Sequence, residues 1–175
     1  ASAFVPSNSR QVDAAVVTVK AAQPQAIIQA ALFQNTAAFI QKMRKTGYAG
    51  TYLNFSAVGI NPLYTALGND IGGVVVAQVM PPPRSQATPV VREYTAAVDN
   101  SDESPSYESL EGFIAAKTLC EAVRRGGRGP EFQKVLSAMR TYDAGGLWVN
   151  LRARPRENTA SIDLVSITAD GRTIR

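Results

Sequence analysis

Hydrophobic and polar positions change rhythm once along this chain. Up to residue 79, short β-forming apolar runs alternate with stretches whose apolar positions recur every three or four residues. From 88 to 140 only the helical rhythm remains, and the chain closes on two short alternating segments around a basic loop. The first pattern predicts a parallel sheet with crossover helices. The second predicts helices without a sheet of their own, as in a piece of a two-lobed α/β protein whose chain crosses between lobes.

Residues 2–5 read as a strand. Val12, Ala15, Val16 and Val19 share one helical face, and Pro24 lies beyond its stop. Residues 26–31 form a short apolar run suited to a buried parallel strand. Phe39, Ile40 and Met43 mark the next helix, which Gly47 stops. Residues 51–57 read as a strand, and Asn61 with Pro62 supplies the N-cap and first position of a short helix ended by Gly68. Residues 73–79 give a third buried strand, which with residues 2–5 makes a four-strand parallel set.

Pro81, Pro82 and Pro83 form a stiff extended connector and the sharpest boundary in the chain. Thr88-Pro89 opens a helix carrying Val90, Tyr94, Ala97 and Val98 on one face. Leu110, Phe113, Ala116, Cys120 and Val123 give the longest helix, ended by Gly126-Gly127, and Pro130 opens another with Phe132, Val135, Leu136 and Met139 in register. Residues 147–151 and 162–168 alternate as strands, and Asp170-Gly171 is a turn signal.

Composition narrows the class. A chain of 175 residues with 45% hydrophobic and 18% charged residues is folded, as one domain or two small lobes. No apolar run reaches the roughly 18 residues of a membrane span. The opening Ala1-Ser2-Ala3-Phe4-Val5 resembles a strand rather than a signal peptide, so the expected mature start, with any targeting signal, lies upstream. The net charge of +4 gathers in Lys42/Arg44/Lys45, Arg124/Arg125/Arg128 and Arg152/Arg154/Arg156. The first two clusters sit at helix ends, where cations suit the dipole. No aromatic residues interleave with them, so they read as solvated surface rather than a nucleic-acid site. The Arg-Arg-Gly-Gly-Arg-Gly-Pro stretch from Arg124 reads as a helix stop before a Pro-started helix.

Catalytic chemistry finds little support. The chain has no histidine, which removes Ser-His-Asp and Cys-His catalysis and the common zinc sites within it. Cys120, the one cysteine, excludes an internal disulfide and reads as a small core residue. Nucleotide-binding glycine motifs are absent. Glu108 and Glu111 suit a helix start rather than an acid/base pair. A binding site is what remains. Ligands of open parallel sheets sit at the carboxyl ends of strands, here residues 31–35 and 55–59, where helix N-terminal NH groups can hold an anion or polar headgroup. Ser106-Tyr107 is a second candidate. Phe33 and Tyr107 read equally well as packed aromatics.

The order of elements resembles the C-terminal half of a type I periplasmic solute-binding protein of ABC importers, the leucine/isoleucine/valine-binding branch. The resemblance runs nearly end to end. It is carried by Asp13-Ala14-Ala15-Val16 with Ala22-Gln23-Pro24-Gln25-Ala26-Ile27-Ile28, by the stretch from Ala38 to Gly47, by that from Tyr107 to Lys117, by Tyr142-Asp143-Ala144-Gly145-Gly146, and by the hairpin around Gly171. It implies a three-layer αβα fold of two lobes that close on a small solute. Residues 1–80 would belong to the second lobe, 81–145 to a crossover and first-lobe helices, and 146–175 to strands returning to the second lobe, with the N-terminal half absent.

Carried over by position, the family's ligand contacts fall on Leu32 or Phe33, on Ser56 or Ala57, and near Tyr107. Amino-acid binders of the family place a carboxylate at the position of Ser56, where it pairs with the ligand ammonium. Serine cannot, so the resemblance implies a carboxylate, an amide or an aromatic acid rather than an ordinary α-amino acid. It further implies a non-catalytic, monomeric, exported periplasmic protein with no cofactor or metal, delivering a small organic solute (a carboxylate, an amide, an aromatic acid or an amino-acid-like compound) to an ABC permease at the membrane and binding no nucleic acid. A ligand-sensing receptor domain of the same fold is the alternative, and a flavodoxin-like α/β enzyme is a more distant one.

Overall fold

The structure, a computed structural model, describes residues 1–7, 9–151 and 162–174. Arg152, Arg154 and Arg156 lie outside the described residues. The chain divides into two units, Ala1–Gln78 with Asp163–Arg175, and Val79–Ile162.

The first unit is built on a five-stranded sheet. Strands β1 (Ala26–Gln29), β2 (Thr51–Phe55) and β3 (Val74–Gln78) run parallel, and β6 (Asp163–Ile167) and β7 (Thr173–Ile174) continue it antiparallel, in the order β1-β2-β3-β6-β7. Helices α1 (Asp13–Ala21), α2 (Phe33–Lys45) and α3 (Ile60–Leu67) precede β1, β2 and β3 in turn. α1 packs on α2 and α2 on α3, so they form one layer. The strand pleat shows which face that layer covers. In-register Ile27, Tyr52, Val74, Val76, Val165 and Ile167 are all buried. Ile28, Phe55 and Leu164 alternate with them on the opposite face and remain exposed.

Residues 2–5 join no ladder, which corrects the expected four-strand parallel set: three parallel strands are paired. The apolar pattern fits a strand, but ladder bonds need an adjacent strand edge, and β1 pairs only with β2 among the described residues. α3 also begins earlier than its Asn-Pro pair suggested. Gly59, at φ +69°, is the N-cap, and its carbonyl accepts from Leu63 N at 3.3 Å.

The basic cluster on α2 is used locally. Lys42 pairs with Asp13 of α1 at 2.5 Å. The Arg44 guanidinium donates to the carbonyls of Asp70 (2.9 Å) and Gly72 and lies 5.5 Å from the ring centre of Tyr52. Tyr52 is 0% exposed, and its hydroxyl has no hydrogen-bond partner among the described residues. Burial pushes that phenol from 10.0 to about 12, against the opposing pull of Arg44. The raised value fixes the sign: the neutral phenol's contribution to stability is fully present below pH 10.0 and is lost as pH rises toward about 12. Tyr52→Phe is expected to hold stability at neutral pH within about 1 kcal/mol of the parent. It should also flatten this part of the alkaline loss, read by denaturant unfolding at stepped pH.

The second unit contains α4 (Pro89–Asp99), α5 (Tyr107–Arg124), α6 (Phe132–Ala138) and a hairpin of β4 (Thr141–Asp143) with β5 (Trp148–Asn150). Thr88 stands at the N-cap position of α4, without a side-chain cap hydrogen bond, and Pro89 opens the helix, as the Thr-Pro pair predicts. The core is Val90, Val91, Tyr94, Leu110, Ile114 and Ala144. Two expectations are corrected. Residues 147–151 supply β5, which pairs with β4 rather than returning to the five-stranded sheet; of the two closing strands, only β6 joins that sheet. Cys120 is exposed, not a core residue. The inward stripe of α5 is Leu110, Ile114, Thr118 and Ala122, because the Thr118 hydroxyl is satisfied by the Ile114 carbonyl at 2.8 Å. Leu119 and Val123 face outward with Cys120.

The β4–β5 turn is held by one carboxylate. Asp143 Oδ1 accepts from the amides of Gly145 (2.9 Å) and Gly146 (2.6 Å), which hold its pKa below the usual carboxylate range. Gly145 sits at φ +118°, and its carbonyl accepts from Val90 N at 3.0 Å. A Cβ there would lie 3.1 Å from Val90 N. Gly145→Ala is therefore expected to cost about 1–3 kcal/mol, measured by denaturant unfolding, whereas Gly112→Ala, in open space within α5, should not destabilise.

Candidate functional site

The carboxyl ends of β1 and β2 are adjacent because Gln29 pairs in register with Asn54. Past β1 the chain turns directly into α2, with Leu32 as N-cap and Phe33 as first helical residue. Leucine has no side-chain acceptor, so α2 starts without a side-chain cap and its first amides are not capped from within. Leu32 is 54% exposed and Phe33 is half-buried. Past β2, residues Ser56–Val58 form a 3-10 turn that packs against β3. Ser56 is half-buried and Ala57 exposed.

Leu32, Phe55 and Ala57 line one cavity of about 860 Å³, together with residues 26–31 and 1–5. Phe33 and Ser56 adjoin these residues in the chain but are not in its lining. Tyr107 lies in the second unit as the first residue of α5 and is half-buried. Its position is fixed by a capping box: Ser109 N donates to Ser106 Oγ at 3.1 Å, and Ser106 N donates to Ser109 Oγ at 3.2 Å. The buried Tyr94 hydroxyl accepts from Ser106 N at 3.0 Å and bonds the Ser109 hydroxyl.

No residue from 30 to 35 or from 55 to 60 carries a charge. Among the described residues, no group of three histidine, cysteine, aspartate or glutamate side chains could hold a metal. Such a surface can enclose a solute by apolar contact, one hydroxyl and main-chain groups, and it offers no acid, base or nucleophile pair. Pattern reading missed three polar side chains just beneath the strand ends. Asn35 donates to the Pro6 carbonyl at 2.8 Å, while Asn54 Oδ1 and Gln78 Nε2 are buried without partners among the described residues. The available signal was a carboxamide in phase with the buried positions of β2 and β3.

A sequence profile described as "periplasmic binding protein" matches residues 1–172. A comparison with curated proteins returned no match. Among solved structures, a substrate-binding periplasmic protein from Ralstonia solanacearum is 34% identical with a TM-score of 0.82, the alignment covering 97% of this chain and 50% of that one. A possible leucine/isoleucine/valine-binding protein from Rhodopirellula baltica is 26% identical, TM-score 0.82, with 98% and 48% covered. A leucine binding protein from Thermotoga maritima, 15% identical, shares the fold at a TM-score of 0.79, with 99% and 50% covered. The chain thus spans about half the length of the solved structures it matches.

Proposed function

Because this chain belongs to the periplasmic binding protein family, we propose that it forms part of an extracytoplasmic, non-catalytic receptor that captures a small organic solute by closure of two lobes and delivers it to an ABC transporter. The family is one of solute-binding proteins and has an αβα fold. In this reading the first unit is one lobe, and α4 to α6 are helices of the other. The solute is held at the carboxyl ends of β1 and β2 by Leu32, Phe33, Ser56 and Ala57. Tyr107 enters through the family resemblance, and Tyr107→Ala is its separate test.

The observation that carries the reading is an open, uncharged surface where two parallel strands end beside an uncapped helix start. The same observation bears on solute class. With no carboxylate at these strand ends, a buried α-ammonium would lack a counter-charge there. A carboxylate, an amide or an aromatic acid suits the surface better.

The test is calorimetry on a longer polypeptide containing these residues, with benzoate, an aliphatic amide, leucine and isoleucine. Benzoate or the amide is expected to bind, and leucine and isoleucine to bind at least about 100-fold more weakly, or about 2.7 kcal/mol. Tight binding of leucine or isoleucine would contradict the solute class. No binding by any member of a broad organic-acid, amide and amino-acid panel would contradict solute capture itself.

A further inference from the structure

Unpartnered buried polar atoms gather in one part of the first unit. Among the described residues, Gln29 Oε1, Asn54 Oδ1 and Gln78 Nε2 are buried without a hydrogen bond. The three carboxamides stand on β1, β2 and β3, adjacent strands of the sheet. Gln29 lies beside Asn54 in register, and Asn54 lies beside Val76, two residues before Gln78. All three are in phase with buried Ile27, Tyr52 and Val76, so they face the layer of α1, α2 and α3. Asn54 is 4% and Gln78 1% exposed. Asn54 Nδ2 donates to the Val75 carbonyl at 3.3 Å, which fixes which end of that amide is left without a partner.

The chemistry of these atoms selects their occupant. Two are acceptors and one is a donor. A cation offers nothing to the Gln78 N–H, and an anion offers nothing to the two oxygens. No buried side chain among the described residues is charged, so neither ion would find a counter-charge here. Pairing Asn54 directly with Gln78 would leave Gln29 Oε1 unmet. Water both donates and accepts, and internal water characteristically makes about three hydrogen bonds to groups otherwise left unsatisfied.

The place of the site gives it a role. Continuing the β2–β3 register sets Gln78 level with Ser56, the first residue of the 3-10 turn Ser56–Val58. Val58 is buried, the turn packs against β3, and Gly59 N closes it on the Ser56 carbonyl at 3.1 Å. Gln29 reaches the wall of the cavity of about 860 Å³, but Asn54 and Gln78 do not line it. The carboxamides therefore run from that wall beneath the turn rather than into the solute's space. We propose that Gln29, Asn54 and Gln78 bind internal water, and that this water is the floor that holds the turn carrying Ser56 and Ala57. The water and its test do not rest on the proposed function; only the turn's service to a solute does.

Water-to-protein NOE measurements on the unsubstituted longer polypeptide test the site without any variant. The side-chain NH2 signals of Asn54 and Gln78 are both expected to show contacts to long-lived water. Absence of the contact at either one overturns the water site, as does a Gln78 amide bonded directly to Asn54. Gln78→Leu removes the one donor and tests the positioning role by hydrogen exchange. The Gly59 amide is expected to exchange roughly 10-fold faster in the variant, while Val16, bonded to the Val12 carbonyl in α1, exchanges as before. Unchanged exchange at Gly59 overturns the positioning role. Acceleration by the same factor at Gly59 and Val16 reports a general loss of stability and overturns it too.

Discussion

Tyr94→Ala is expected to destabilise the second unit by about 3–5 kcal/mol, the range for truncating a fully buried aromatic residue. Tyr94 is 1% exposed, packs edge-on against Phe113 with ring centres 5.7 Å apart, and sits in the cluster of Val90, Val91, Leu110, Ile114 and Ala144. Its hydroxyl has a second role, since it accepts from Ser106 N and bonds Ser109, so it ties α4 to the capping box that starts α5. Tyr94→Phe separates the two contributions. It keeps the ring and is expected to cost about 1–2 kcal/mol, with faster hydrogen exchange at residues 106–109. Denaturant unfolding of both variants provides the check, and a Phe variant as unstable as the Ala variant would contradict this division.

Ala57→Trp is expected to lower solute affinity by about 100-fold or more, equivalent to about 2.7 kcal/mol. Ala57 is exposed in the turn after β2 and lines the cavity that Leu32 also lines, so an indole there occupies the space assigned to the solute. As an exposed turn position it should alter folding stability by no more than about 0.5 kcal/mol. Ser56→Asp tests the charge argument at the neighbouring position. A carboxylate there should weaken binding of organic acids and favour ligands that carry an ammonium. Calorimetry on the longer polypeptide checks both variants, with unfolding midpoints to confirm that the fold is retained.

Much of the fold was legible because its punctuation is local. Pro24, Gly47, Gly68 and Pro89 bound α1 to α4 through their own backbone limits, which need no knowledge of neighbours. What depended on neighbours was misread. Residues 2–5 have a strand's pattern, but pairing depends on a partner edge. Residues 147–151 were read as a strand, yet nothing in their alternation distinguishes β4 from the larger sheet as partner. On α5, hydrophobicity favoured Cys120 and Val123 over Thr118, whereas a threonine bonded to its own helix can face a core.

The candidate site divides the same way. The strand ends at residues 31–35 and 55–59 were visible in the pattern, the family resemblance put the expected contacts there at Leu32, Phe33, Ser56 and Ala57, and the structure places Leu32 and Ala57 in the lining of one cavity. The buried carboxamides of Asn54 and Gln78 were passed over although they fall in phase with the buried positions, because a polar residue within a strand is ordinarily assigned to the solvent face.

The most direct measurement is a crystal structure of the longer polypeptide grown with the strongest binder from the solute panel. The account predicts that solute at the carboxyl ends of β1 and β2, in contact with Leu32 or Phe33 and with Ser56 or Ala57. A solute bound elsewhere, with those four residues untouched, would contradict it.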